Sequence, residues 1–241
     1  MELVLFFLSA FFAEIAGTVA GFGSSTIFMP LALFFVEFRV ALVLVALFHV
    51  CGNLAKAAFF RRGFDWKLFV RFGVPSVLFT IVGALLVTVM AQDLLKLVLG
   101  IFLCAFSLWS LRDGVVLPRA KWVTVLGGCV SGFFAGLLGT GGAFRAAVLS
   151  SLKLRKDSFI MMNAVIAVLV DVTRIPVYIG SGFLPSGLWW VVLGLAVVAI
   201  VGAFVGKRIV DVISQKAFKI VVLAAIGLVG LKFVFDFFVA G

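Results

Sequence analysis

With 65% of its 241 residues apolar, 12% charged and a mean hydropathy of +1.34, the chain lacks the polar surface that a soluble domain needs and reads as an integral membrane protein. A formal net charge of +10 would suggest a nucleic-acid partner in a soluble protein, but Lys and Arg of a membrane protein collect in cytoplasmic loops beside anionic lipid, so no nucleic acid is implied. Cys51, Cys104 and Cys129 stand inside apolar runs without a C-x-x-C pair, which argues against a disulfide frame, a metal site or a thiol redox centre.

The first stretch, Leu3 to Glu37, is too long for one crossing and is broken near its middle by Gly21-Phe22-Gly23-Ser24-Ser25. Met1-Glu2-Leu3 has no basic leader and Glu14 interrupts the apolar run, so this start is expected to belong to the mature fold. Three runs long enough to span as helices follow at 40–60, 68–90 and 94–111. Beyond the hydrophilic stretch Arg112 to Lys121 the pattern restarts. Trp122 to Leu152 is again too long and is broken by Gly139-Thr140-Gly141-Gly142, and three more spans are expected at 158–178, 188–205 and 217–238.

The two halves, 1–118 and 119–241, align at an offset of 118: Gly21-Phe22-Gly23 meets Gly139-Thr140-Gly141, Asn53-x-x-Lys56 meets Asp171-x-x-Arg174, and Phe60 meets Tyr178. Charge decides the topology. If both broken stretches crossed, giving eight spans, the loop Lys and Arg would divide six against eight. If 3–37 and 122–152 are re-entrant hairpins that return to their starting side, one face receives Arg61, Arg62, Lys67, Arg112, Arg119, Lys121, Lys153, Arg155, Lys156, Lys207, Arg208 and Lys216. The other keeps Arg39, Lys96 and Lys232. Twelve against three satisfies the positive-inside rule and puts both termini on the non-cytoplasmic side. The expected fold is therefore an all-α membrane protein of two inverted-topology repeats, each a Gly-broken re-entrant helical hairpin plus three transmembrane helices.

Backbone that leaves the helix inside hydrocarbon must be satisfied by protein or water, so the two breaks imply a polar cavity at membrane depth. Gly21, Gly23, Gly141 and Gly142 permit the tight backbone of such tips, and Ser24, Ser25, Thr26 and Thr140 bring hydroxyl donors to them. The arms that restart there present free N–H groups and a positive dipole end, which favours an anion. Arg145, in the first turn after Gly142, adds its charge to that end, an unfavourable place for a cation on helix stability alone. Snorkelling to cytoplasmic phosphate is the competing reading, and it would have to cover most of a leaflet.

Lys56 and Arg174 lie near span ends, where snorkelling and substrate contact weigh evenly; Asn53 and Asp171 share their faces, and Asp171 with Arg174 at i, i+3 is read first as a neutralising pair. His49 and Glu14, mid-membrane, are read first as core groups, with substrate contact or proton relay as the alternative.

These Gly-rich segments resemble the sulfite exporter TauE/SafE family of bacterial membrane proteins over nearly the whole chain: Gly17-x-x-x-Gly21-x-Gly23 with Pro30 in the first half, Gly136-x-x-Gly139-x-Gly141-Gly142 in the second. Ser24 and Ser25 replace expected glycines, and Val148 stands where a second proline is expected. The resemblance implies export of sulfite or a small organosulfonate across the cytoplasmic (inner) membrane. An inside-negative potential assists such export by about 2.3 kcal/mol per charge per 100 mV. Two alternatives remain open: a transporter of a cation or neutral solute using Glu14 and Asp171, and a non-transporting membrane subunit. No H-E-x-x-H, G-x-S-x-G or paired catalytic carboxylate supports an enzyme, and no cofactor is implied. The expected partners are the anion, lipid and, as an open option, further copies of the chain.

Overall fold

In hydrocarbon each backbone polar group must be satisfied within its own segment, so apolar runs of span length fold as helices. The computed structural model describes residues 1–59, 63–112, 118, 120–209 and 215–240, and among these it is helical with no strand. Phe60, Arg61, Arg62 and Arg119, which entered the alignment and the charge count, lie outside the described residues, as do the side chains of Lys156 and Lys216.

Ten helices are used below. The first half contains α1 (Glu2–Ala20), α2 (Ser25–Ala32), α3 (Phe38–Phe59), α4 (Trp66–Val89) and α5 (Gln92–Leu111). The second contains α6 (Lys121–Leu138), α7 (Gly142–Ser151), α8 (Lys156–Gly180), α9 (Trp189–Ile209) and α10 (Gln215–Ala240). Eight of them are long and apolar enough to cross a bilayer, two more than the six expected spans. The additional two are α1 and α6, the first arms of the two Gly-broken stretches: arms of 19 and 18 residues, long enough to span, precede second arms of 8 and 10. In α4, the π-helical turn Phe69–Gly73 lies just ahead of Pro75, whose ring clashes with the carbonyl four residues back and which has no N–H to give.

Each second arm doubles back along its first. Phe6 of α1 packs on Phe28 of α2 and on Phe35 beyond it, and Gly127 of α6 faces Val148 near the end of α7. The halves pack as mutual counterparts: α4 runs along α6 as α9 runs along α1, α3 crosses α8, and α5 crosses α10. At the last crossing a Cβ on Gly100 would come within 2.8 Å of the Gly230 carbonyl, and one on Gly230 within 2.8 Å of the Gly100 carbonyl. Along α4 and α6 the hydroxyls of Ser76 and Thr80 donate to the carbonyls of Gly128 and Gly132 at 3.0 Å, the close small-residue packing that holds membrane helices together.

One end of the bundle gathers Arg39, which donates to the Met90 carbonyl at 3.1 Å and lies over Phe183, and Lys232, which lies over Phe34. The opposite end brings Gly63 against Ser158, Lys207 over Phe59, and Arg112 and Lys219 to the mouth of a common cavity.

Candidate functional site

The two Gly breaks meet inside the protein. Gly21 and Gly139, 118 residues apart, both end their helices in the left-handed conformation, φ 80° and 74°, which a Cβ strongly disfavours. Across the junction a Cβ on Gly142 would lie 2.6 Å from the Phe22 carbonyl oxygen, so that position has room for hydrogen alone. Thr140 Oγ1 donates to Thr26 Oγ1 at 2.7 Å, joining one tip to the other, and Ser131 Oγ donates to the Gly141 carbonyl at 2.8 Å. The junction sits beside the middle of α3: His49 Nε2 is 3.7 Å from where a Cβ on Gly23 would stand.

Around the junction lie five buried charges. Asp171 and Arg174, on α8, form the expected i, i+3 pair at 2.7 Å. It is completed by His49 Nδ1 at 2.7 Å from the second carboxylate oxygen and by the Ala135 carbonyl, which accepts from Arg174 at 2.6 Å. Lys56 Nζ lies 2.6 Å from Glu14 Oε1. Arg145 differs: Nε donates to Asn163 Oδ1 at 2.6 Å, and among the described residues no carboxylate pairs with it. Three cations thus face two carboxylates, and the surplus positive charge belongs to Arg145, which is 2% exposed. Two polar atoms at the junction, Ser24 Oγ and His49 Nε2, are buried without a partner among the described residues.

A cavity of about 50 Å³ lies on the Lys56 side of these groups, lined by Asn53, Lys56 and Asn163 with Gly17, Gly21 and Gly23 of the first hairpin, and extends to Phe59 and Lys207. It adjoins a wider vestibule of about 420 Å³ that reaches from Gly21 and Phe22 along α7 to Arg112, Ser150 and Lys219 at the bundle end. Phe106, Trp109 and Phe159 stand in the vestibule wall.

Of the residues singled out from the sequence, Gly21, Gly23, Asn53 and Lys56 line the inner cavity. Ser24, Ser25, Thr26, Thr140, Gly141 and Gly142 form the buried junction beside it, and His49, Asp171 and Arg174 form the adjacent hydrogen-bonded triad across α3 and α8. Arg145 faces α8 through Asn163, which itself lines the cavity. Sequence reasoning missed Asn163, Phe159 and the vestibule aromatics. Asn163 carried a usable signal: it precedes Arg174 by eleven residues, about three helical turns, and so shares its face. Tyr178, noted only as an alignment partner, donates to the Gly136 carbonyl at 2.5 Å beside the Arg174 bond to Ala135.

The family model described as sulfite exporter TauE/SafE matches residues 6–233. No curated protein matches the chain. The protein belongs to the TauE/SafE family, whose members are membrane transporters and not enzymes.

Proposed function

We propose that this family member exports a small oxyanion, sulfite or a small organosulfonate, across the bacterial cytoplasmic membrane, holding it in the cavity beside the two hairpin tips. The observation that carries the reading is the charge balance there: three buried cations against two buried carboxylates, with Arg145 the cation that lacks an acidic partner among the described residues. An uncompensated charge inside a membrane protein is costly, and a transported counter-ion offsets that cost. Arg145 supplies the principal counter-charge, Lys56 and Asn53 contact the anion from α3, and Asn163 orients the guanidinium. Arg174 and Asp171, neutralised within their own triad, hold α3 and α8 in register around the site.

The topology in this reading is that of inverted repeats, residues 1–118 and 119–241, with the hairpins entering from opposite leaflets and both termini outside the cytoplasm. The vestibule then opens to the cytoplasm, at the end where Arg112 and Lys219 stand, and release requires the hairpin junction to part toward the other face. A cation carrier using Glu14 and Asp171 is the weaker reading, because each of those carboxylates already has a basic partner within 2.7 Å. Efflux of labelled sulfite or sulfoacetate from proteoliposomes tests the proposal. Sulfite-dependent flux supports it, and protein-independent leakage alone for both anions refutes it.

A further inference from the structure

We infer that Glu14 is a tethered anion that competes with the transported anion for Lys56 and thereby sets how tightly that anion is held; the inference rests on the anion reading above. Glu14, on α1, is fully buried between α3 and α9. A Cβ on Gly52 would fall 2.7 Å from its Oε1, and one on Gly202 would fall 2.9 Å from its Cβ, so both neighbouring helices carry hydrogen where the side chain passes. The chain has made room for a carboxylate in its interior. It has not surrounded that carboxylate with donors: apart from Lys56 at 2.6 Å, neither oxygen has a hydrogen-bonding partner among the described residues. The contrast with Asp171 is informative. Asp171 is held by Arg174 and His49 together, the complete set of contacts that a structural buried carboxylate requires.

On its other side Lys56 lines the inner cavity with Asn53, Asn163 and the hairpin glycines. An ammonium has three donors, and Glu14 takes one direction of them. An anion entering the cavity therefore shares Lys56 with a negative charge already on it, and the like charges weaken each other's hold. In the empty state Glu14 compensates Lys56, so Lys56 itself needs no bound anion; in the loaded state the same carboxylate pushes the anion toward release. Arg145, on α7, has no carboxylate in salt-bridge contact among the described residues.

Removing the Glu14 charge should accordingly strengthen binding, whereas loss of a merely structural partner would loosen the site and weaken it. Calorimetric titration of the detergent-purified full chain with sulfite is the test. Glu14→Gln should bind about tenfold more tightly than wild type, equivalent to about 1.4 kcal/mol, with a larger sulfite-induced rise in Tm and slower vesicle turnover. On a Lys56→Gln background the change at position 14 should leave sulfite affinity within about twofold. If Glu14→Gln does not fold, Glu14→Asp, which keeps the charge but draws it back from Lys56, should tighten binding by a smaller factor. Unchanged or weaker binding by the folded variant overturns the inference while wild-type binding leaves the anion reading standing; a wild type that binds no sulfite overturns both.

Discussion

Arg145→Gln separates a substrate counter-charge from a structural cation. The guanidinium is buried, its Nε bonds Asn163, and among the described residues no carboxylate would be left unpaired by its removal. At about 4 Å and an effective dielectric near 20, a unit charge pair is worth about 4 kcal/mol before the cost of desolvation, and a charge-assisted hydrogen bond contributes about 1.5–3 kcal/mol net. We take about 2 kcal/mol as the loss, which is roughly a thirtyfold fall in sulfite transport at subsaturating concentration. The same change should alter thermal stability by less than about 1 kcal/mol, since deleting an uncompensated cation leaves no charge stranded. Arg174→Gln runs the other way: it leaves Asp171 in the interior with His49 alone and should cost about 3–5 kcal/mol of stability. Labelled-sulfite efflux from proteoliposomes, paired with thermal unfolding of the same preparations, reads both quantities. Normal flux in Arg145→Gln, or a stability loss as large as that of Arg174→Gln, would refute the reasoning.

Gly142→Ala should destabilise the protein by about 1–3 kcal/mol, because its Cβ would stand 2.6 Å from the Phe22 carbonyl, while Gly180→Ala, with open space around the added methyl, should have little effect; thermal melts compare them. Replacing Thr26 and Thr140 together by Cys, in a background lacking Cys51, Cys104 and Cys129, should allow oxidative cross-linking of the hairpins, as the two hydroxyls lie 2.7 Å apart, and should arrest sulfite flux until a reductant is added. A single Cys at Ser150, at the vestibule wall, should react with an impermeant maleimide from the Arg112 side of oriented vesicles at least about tenfold faster than from the other side. Equal rates from both sides would contradict a one-sided vestibule.

Much of this architecture was legible as pattern. Gly21 and Gly139 stood out by their common offset, and both prove to be left-handed helix ends, because the same local geometry needs the same residue. The Asp171–Arg174 pair was legible because i, i+3 neighbours meet on one helix whatever surrounds them. The span count was not: the breaks stand at Gly21 and Gly139, where the pattern places them, but the first arms, 19 and 18 residues, are long enough by themselves to cross a bilayer while the second arms stop at 8 and 10. The bonds that assemble the site, Glu14 to Lys56, His49 to Asp171 and Arg145 to Asn163, join different helices, and helical periodicity carries no information about which face of one helix meets which face of another.

The most direct test of an anion seated at the hairpin junction is an anomalous difference map from crystals grown with selenite, the selenium analogue of sulfite. The account predicts a selenium peak in the cavity bounded by Asn53, Lys56 and Asn163, within reach of Arg145. A peak confined to the vestibule mouth near Arg112 and Lys219, or no peak at saturating selenite, would contradict it.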